Sequence, residues 1–220
     1  MKIGLITIGQ SPRVDVVPEM VQILGNVDII ECGALDNLTA EEIQKLAPKE
    51  GDYVLVTRLR NGTQVRLSRE KIVKLLQTCI EKLENEVDVI GILCTGKFSK
   101  LKSKKLLIEP SILLLKVVES ILPQGKLGIL IPSPDQIEET EEKWSHIGVE
   151  TKILVVSPYL GKEEEFKKAA RTLKDCDLIV LDCIGYNLKA KEIMKNLTKK
   201  PVLLPRTLMA HVIRELVEGG

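Results

Sequence analysis

The sequence predicts an α/β fold made of two similar lobes, each with a mainly parallel sheet. Strand-like runs alternate with helical runs along the whole chain, as in βαβ units. The pattern then restarts, because the segment 126–131 (KLGILI) echoes the opening segment 2–7 (KIGLIT). Residues 87–96 and 176–185 are also alike: in each, an aspartate opens an apolar run that ends near a cysteine, with glycine two residues further on. We therefore divide the chain into lobes 1–122 and 123–220.

In the first lobe, helix-capping and turn-forming residues mark the ends of the predicted helices and strands. Thr39-Ala-Glu-Glu42 has the form of a capping box, and Asn61-Gly62 is the strongest short signal for a hairpin turn. Ser68 is expected to cap a long helix, and Pro110 suits a first helical turn. The predicted strands are 2–8, 28–31, 53–57, 64–67 and 88–93, and the predicted helices are 15–24, 39–47, 69–83 and 109–121. The hairpin is an insertion that the second lobe lacks.

The second lobe repeats the alternation without the hairpin. Its predicted strands start at residue 126 and continue with 151–156, 177–181 and 202–204, and its predicted helices are 134–144, 162–173, 189–197 and 207–217. We expect the chain to cross back between the lobes, so that helix 109–122 and the C-terminal helix each pack on the other lobe.

The composition excludes several function classes. The net charge of +1 provides no field for nucleic acid, and 3% aromatic residues leave few platforms for stacking bases. No apolar run reaches the roughly 18 residues of a membrane span, and the N-terminus enters a strand directly without a signal peptide. The five cysteines are irregularly spaced, so we expect free thiols in the cytoplasm rather than a disulfide framework. No nucleic-acid or membrane partner is expected, and a homodimer is possible.

The two strand-end cysteines, Cys94 and Cys183, are the candidate catalytic residues. Ligands of open α/β sheets bind beyond the carboxyl ends of strands, so the two thiols could face each other across a cleft and serve both faces of one carbon. We expect partial exposure and nearby backbone amides to favour the thiolate. The alternative carries similar weight, because free cysteine is commonly a buried structural residue. Cys32, Cys79 and Cys176 are interpreted as structural.

A small carboxylate is the expected ligand, held by loops that offer hydroxyl, amide and guanidinium donors. The candidate binding residues are Gly9, Gln10, Ser11, Arg13, Arg58, Thr95, Gly96, Ser133, Gly185 and Tyr186. An ordinary βα turn with a capping serine would equally explain the first of these loops.

Other patterns carry little chemistry. For the lysines of 97–105 there are three alternatives: a patch that binds phosphate, a mobile cover of the site, or a loop face exposed to solvent. We favour the solvated loop face. His146 and His211 are isolated, so no metal site is expected. The chain has neither a P-loop nor a G-x-G-x-x-G fingerprint, and no cofactor is expected.

Several stretches resemble the AroM family over nearly the whole chain. They are the segments 5–9 (LITIG), 47–48 (AP), 54–57 (VLVT), 65–71 (VRLSREK), 108–113 (IEPSIL), 127–132 (LGILIP) and 181–186 (LDCIGY). At greater distance the chain is similar to the aspartate/glutamate/hydantoin racemase superfamily. That resemblance implies two pseudo-symmetric lobes and a cofactor-independent site with one cysteine from each lobe, which Cys94 and Cys183 would supply. Ser11 would lie near the first, substrate-binding loop.

The resemblance also has departures. Amino-acid racemases commonly follow the first cysteine with Asn-Thr, and glutamate racemases follow the second with Thr-His, whereas here Thr95-Gly96 and Ile184-Gly185 stand there. The Asp-Ser-Gly signature of the first loop is replaced by Gly9-Gln10-Ser11. These departures weaken the expectation of an amino-acid substrate, and the superfamily also contains maleate isomerases and arylmalonate decarboxylases. We therefore expect a racemase- or isomerase-like enzyme acting on a small carboxylate; the alternative is a protein that binds or senses such a metabolite without turnover.

Overall fold

The computed structural model describes residues 1–98 and 100–217, which form ten strands and eight α-helices. The strands are β1 (Lys2–Thr7), β2 (Asp28–Gly33), β3 (Val54–Arg58), β4 (Gln64–Ser68), β5 (Val89–Leu93), β6 (Leu106–Ile108), β7 (Lys126–Ile131), β8 (Glu150–Val155), β9 (Leu178–Leu181) and β10 (Val202–Leu203). The helices are α1 (Val17–Leu24), α2 (Ala40–Lys45), α3 (Arg69–Leu83), α4 (Pro110–Ile121), α5 (Ile137–Ser145), α6 (Glu163–Thr172), α7 (Leu188–Thr198) and α8 (Pro205–Val217).

Two four-stranded parallel sheets confirm the predicted α/β class. Their strand orders are β2-β1-β5-β6 and β10-β9-β7-β8. In each sheet the lobe's first strand pairs with the second and the third, and the fourth strand lies beyond the third. This shared order makes the two lobes structurally alike, and it places β5 and β9 in equivalent positions.

The lobes exchange helices. Leu114 and Val118 of α4 pack in one apolar cluster with Leu127 and Ile129 of the second sheet. Met209 and Ile213 of α8 pack against the first sheet in a cluster that contains Ile3, Leu5 and Val89. Each sheet is therefore covered in part by a helix from the other half of the sequence, while the exact division at residue 122 stays a prediction.

The hairpin of β3 and β4 is antiparallel, as Asn61-Gly62 predicts, and it reaches the second lobe. Gln136 donates a side-chain hydrogen bond to the Val54 carbonyl at 2.9 Å, and Ser157 donates one to the Gln64 side chain at 2.8 Å. Arg66 of β4 forms an ion pair with Asp135 at 2.6 Å. The hairpin thus bridges the loops of both lobes.

The helix ends follow the predicted chemistry in part. The Thr39–Glu42 capping box forms at α2, and Asn187 caps α7 with its side chain. Ser68 precedes α3 but makes no capping bond, since its hydroxyl donates to Glu70 at 3.3 Å instead; that prediction was wrong. Helix α1 begins two residues later than predicted, and a short 3-10 helix (Pro134–Gln136) precedes α5.

Two further features were not predicted. Strand β6 is only three residues long and has an exposed end, too short for a clear apolar alternation. Cys32 at the end of β2 and Cys79 of α3 form a disulfide, which corrects the expectation that all five cysteines are free. Their separation of 47 residues matches no known cysteine motif, so only the packing of α3 on the first sheet brings the two sulfurs together.

None of the described helices is long and apolar enough to cross a membrane.

Candidate functional site

The two candidate catalytic cysteines occupy equivalent places in the two lobes. Cys94 directly follows β5, and Cys183 follows β9 after one intervening residue. The Gly96 N–H donates to Cys94 Sγ at 3.3 Å, and the Gly185 N–H donates to Cys183 Sγ at 3.4 Å. Each sulfur therefore sits in the same local turn, closed by the amide of the glycine two residues ahead.

Both thiols are buried, with residue exposures of 8% for Cys94 and 6% for Cys183. Burial raises the pKa of Cys94 to about 12 and that of Cys183 to about 11, and the glycine N–H groups oppose part of this rise. The nearby Cys183 adds to the rise at Cys94, so the two sulfurs lie in one electrostatic environment. The expectation of partly exposed, readily ionised thiols was wrong for this closed structure, because removal from water disfavours the thiolate.

Arg13 is a buried cation whose charge acts on both thiols. Its charge lowers the pKa of both thiols, although less than burial raises them. The guanidinium is buried and donates to both carboxylate oxygens of Asp15 at 2.8 and 2.9 Å, to Thr7 at 2.9 Å and to the Tyr159 hydroxyl at 3.3 Å. Burial raises the pKa of Asp15, but the bonds from Arg13 outweigh it and leave that pKa below its usual range. Arg13 is thus already paired, and an incoming anion must compete with Asp15.

Tyr159 covers the second thiol and was not among the candidate residues. It lies in the loop after β8, and a Cβ placed on Gly185 would come within 2.5 Å of its hydroxyl. Burial, and then the neighbouring Cys183, raise the pKa of the Tyr159 phenol. Glycine at 185 is therefore required by the close approach of Tyr159, as well as by the turn around the thiol.

The loop after β1 binds a carboxylate group of the protein itself, that of Asp36. The Ser11 N–H and hydroxyl donate to the two oxygens of Asp36 at 2.7 and 2.6 Å, and Arg60 pairs with the same carboxylate at 2.8 Å. The Ser11 hydroxyl is thus paired with Asp36 in this structure, and its role in binding a ligand stays a prediction. The donors of the loop are of the predicted kind, and the protein's own aspartate uses them.

A cleft beside this loop brings three predicted binding residues together. Gln10, Arg13 and Arg58 line it with Asp15, and its empty space is about 450 Å³, open to solvent. Arg58 donates to the Gly62 carbonyl at 3.1 Å and pairs with no carboxylate among residues 1–98 and 100–217. The cleft is large enough for a small anion, and Arg13 connects it to the thiols.

The hairpin forms a roof over the carboxyl edge of the first sheet. Its alternate residues Tyr53, Leu55 and Thr57 share one face of the strand. A Cβ on Gly96 would lie 2.6 Å from Leu55, and a Cβ on Gly9 would lie 2.5 Å from the Thr57 hydroxyl. Gly9 and Gly96 therefore let the roof approach the loops after β1 and β5.

A buried ion pair ties the two cysteine loops together. Lys143 of α5 donates to both oxygens of Asp182 at 2.8 and 2.9 Å and to the Thr95 carbonyl at 3.1 Å. The Thr95 hydroxyl donates to the Asp182 carbonyl at 3.1 Å, and its role in binding a ligand stays a prediction. Asp182 directly precedes Cys183 and Thr95 directly follows Cys94.

The same residues line a small polar cavity. Tyr53, Gln136, Glu139 and Lys143 contribute to its wall, and its volume of about 20 Å³ is enough for one water molecule. Gln136 Oε1 and Glu139 Oε2 are shielded from solvent and accept no hydrogen bond from the described part of the chain. The cavity thus holds acceptors suited to a donor such as water.

The remaining predicted residues lie apart or face elsewhere. The Ser133 hydroxyl donates to Asp135 at 2.6 Å. The Tyr186 hydroxyl donates to the Val156 carbonyl at 2.7 Å, and its ring packs edge-on against Phe166, so Tyr186 supports the core.

In the lysine-rich segment 97–105, Lys104 pairs with Glu84 at 2.9 Å, and Lys97, Lys100 and Lys102 are exposed, which favours the interpretation as a solvated loop face. Among the residues described, no three metal-ligating side chains cluster.

Sequence reasoning missed Asp15, Tyr159, Lys143 and Asp182. Asp182 carried a usable signal, because a carboxylate interrupts an apolar run just before the second cysteine. Lys143 and Tyr159 carried none, since each lies 24 or more residues from a candidate cysteine and only the tertiary fold brings it close.

A family model described as AroM protein matches residues 3–217 of this chain. No curated protein matches it significantly in sequence. Among solved structures, glutamate racemase from Aquifex pyrophilus is similar, at 16% identity and a TM-score of 0.61 over 99% of this chain and 84% of that one. Arylmalonate decarboxylase (13% identity, TM-score 0.63, 100% and 93% covered) and the maleate isomerase Iso from Pseudomonas putida S16 (12%, 0.58, 99% and 93%) share the fold as well. At these identities the likeness concerns the fold alone.

Proposed function

Because this chain belongs to the AroM family and has the two-lobed fold of these neighbours, we propose that it transfers protons to and from a carbon atom of a small carboxylate. Cys94 and Cys183 are the proposed acid and base, and no cofactor is required. The supporting observation is the matched placement of the two thiols, each after the third strand, in chain order, of its four-stranded sheet and each closed by a glycine amide.

The chemistry follows from two thiols that share the charge of Arg13, with Lys143 acting in addition on Cys94 and Arg206 on Cys183. One thiolate takes a proton from the carbon next to the carboxylate, and the other thiol gives a proton to that carbon. Arg13 lowers the pKa of both thiols, which favours formation of the thiolate. Movement of Tyr159 away from Gly185 would hydrate Cys183 and remove part of the burial that raises its pKa.

The proposed substrate is a carboxylate for two reasons. The cleft is lined by Arg13, whose charge lowers the pKa of both thiols, and by Arg58, which has no acidic partner in the described chain. The names of the structural neighbours refer to glutamate, an arylmalonate and maleate, which are all carboxylates.

Solvent exchange tests this function. The protein is incubated in D2O with a panel of small 2-amino, 2-hydroxy and dicarboxylic acids, and loss of each C–H signal or appearance of product is followed by proton NMR. We expect at least one acid to react, and we expect Cys94→Ala and Cys183→Ala each to lower the rate by about 10²–10⁴-fold.

Cys176→Ala is the matched control, because Cys176 is also a buried free thiol but precedes β9, at the opposite end of that strand from Cys183. Its rate should equal that of the unmodified protein. Undiminished reaction in both site variants would refute the paired-thiol function.

The alternative function is binding of the carboxylate without turnover. Burial favours it, since thiols with pKa values of about 12 and 11 are almost fully protonated at neutral pH. Calorimetric titration with the same panel distinguishes the two functions: saturable binding with no exchange or product supports the alternative.

The proposed location is the cytoplasm, because Cys94 and Cys183 must stay reduced to act. The Cys32–Cys79 disulfide argues the other way, since such bonds are rare in reducing compartments. Thiol counting on protein trapped rapidly from cells decides this, and sedimentation tests the proposed homodimer.

A further inference from the structure

We propose that Lys143 and Asp182 are positioning residues, which hold the loops of Cys94 and Cys183 in register across the lobe boundary. The proposal rests on the proposed function, because the register of the two thiols matters only if both act on one substrate. Neither residue needs to touch the substrate in this role.

The contacts of Lys143 carry the proposal. Its ammonium group makes three hydrogen bonds, two to the Asp182 carboxylate and one to the Thr95 carbonyl. All three N–H donors of the ammonium group are therefore used, by Thr95 directly after Cys94 and by Asp182 directly before Cys183. All three residues are at most 9% exposed, so the geometry is not a surface arrangement that water would loosen.

Asp182 is held from further sides. Trp144 Nε1 donates to its Oδ2 at 2.8 Å, and the Thr95 hydroxyl donates to its backbone carbonyl at 3.1 Å. Trp144 is fully buried beneath the second sheet, among residues that include Leu114 of α4. The Lys143–Asp182 pair is thus anchored in the core through Trp144.

Stability alone does not account for a charged pair at this place. Removing two charges from water costs several kcal/mol per ion, and apolar residues of similar volume often stabilise a core equally well or better. What an apolar pair cannot supply is a fixed direction, since dispersion contacts have no donor–acceptor geometry. The ion pair fixes both loops at one point, immediately beside each thiol.

Thiol bridging tests the proposal without any substrate. The double variant Lys143→Met/Asp182→Leu replaces the pair by apolar side chains of similar size. The probe is a bimane with two bromomethyl arms, which fluoresces strongly only after both arms have alkylated thiols. We expect the probe to bridge Cys94 and Cys183 in the unmodified protein. In the variant the bridging rate should be lower by about tenfold or more, because a shift on the order of 1 Å strongly disturbs the encounter of the second arm with its thiol.

Single alkylation and urea unfolding of the same variant show whether it remains folded. If the leucine variant does not fold, Lys143→Met/Asp182→Asn is used, since asparagine keeps an acceptor for Trp144. The matched control, Lys126→Met/Glu150→Leu, removes an exposed ion pair at the opposite end of the same sheet and should leave bridging unchanged.

The reaction is followed at about pH 9.5 until iodoacetamide controls show that Cys94 and Cys183 can each be alkylated singly. Equal bridging in a folded pair variant, or no bridging in an unmodified protein whose two thiols both react singly, would overturn the proposal. Once a substrate is known, the variant should lower kcat with little change in KM. Absence of turnover would refute the proposed function and would leave the bridging result to decide the positioning role by itself.

Discussion

Single residues set the reactivity of the candidate site mainly through burial. Cys94 and Cys183 each accept a glycine N–H and lie near Arg13, and these features favour the thiolate. Burial opposes them and is the larger effect for both residues. The folded protein therefore retains two protons that the unfolded chain would release at alkaline pH.

This retention predicts a pH dependence of stability. Between the ordinary thiol pKa of about 8.5 and the folded value of about 11 for Cys183, the unfolded chain loses a proton that the folded protein keeps. The stabilisation from Cys183 is thus full below about pH 8.5 and is lost as the pH rises toward the folded value. Its share of the unfolding free energy should fall by about 1.4 kcal/mol per pH unit in this range.

Urea unfolding at several pH values between about 9 and 10.5 measures that slope. Cys183→Ala should have a shallower slope by about this amount, whatever constant offset its cavity adds. Identical slopes in the two proteins would contradict the raised pKa.

At the scale of elements, two covers close the site. The hairpin places Leu55 and Thr57 over the loops after β5 and β1, and the loop after β8 places Tyr159 against Gly185. The two covers also touch, through the hydrogen bond from Ser157 to Gln64. Access to the thiols therefore depends on movement of the covers rather than of the sheets.

Removal of Tyr159 should open the second thiol. In Tyr159→Ala, the side chain that packs on Gly185 is lost, and we expect alkylation of Cys183 by iodoacetamide to accelerate roughly tenfold or more. Peptide mass spectrometry at timed intervals gives the rate for each cysteine. Leu160→Ala is the matched control in the same loop, because Leu160 is 69% exposed, and it should leave the rate unchanged. Slow labelling in both variants would show that Tyr159 is not the cover.

At the scale of the whole molecule, the exchange of helices joins the lobes into one folding unit. Helix α8 covers the first sheet, and α4 covers the second. Neither half of the sequence therefore buries its own sheet completely, although each half contains a complete set of four strands.

We expect the fragment 1–122 to be unfolded or aggregated when expressed alone, because the face formed by Ile3, Leu5 and Val89 would lose the side chains of α8. Co-expression with fragment 123–220 should restore helical circular dichroism and a soluble complex. A folded, monomeric fragment 1–122 would contradict the role assigned to α8.

The sequence by itself determined the architecture and the two thiols. Local signals suffice for these features: the βα alternation, the Asn61-Gly62 turn and the repeated aspartate-to-cysteine run each lie within a few consecutive residues. The equivalent strand ends that hold Cys94 and Cys183 follow from that repeat. The absence of a signal for β6 has the same origin, because three residues carry too little pattern.

Only the tertiary structure decided the state and the surroundings of those thiols. The Lys143–Asp182 pair, the contact of Tyr159 with Arg13, the Asp36 carboxylate on the first loop and the Cys32–Cys79 disulfide join residues between 25 and 146 positions apart. Residue types and spacing show which donors and acceptors exist, whereas chain packing selects which of them meet. Burial is likewise a property of the packed chain, and it is burial that keeps both thiols protonated in the closed protein.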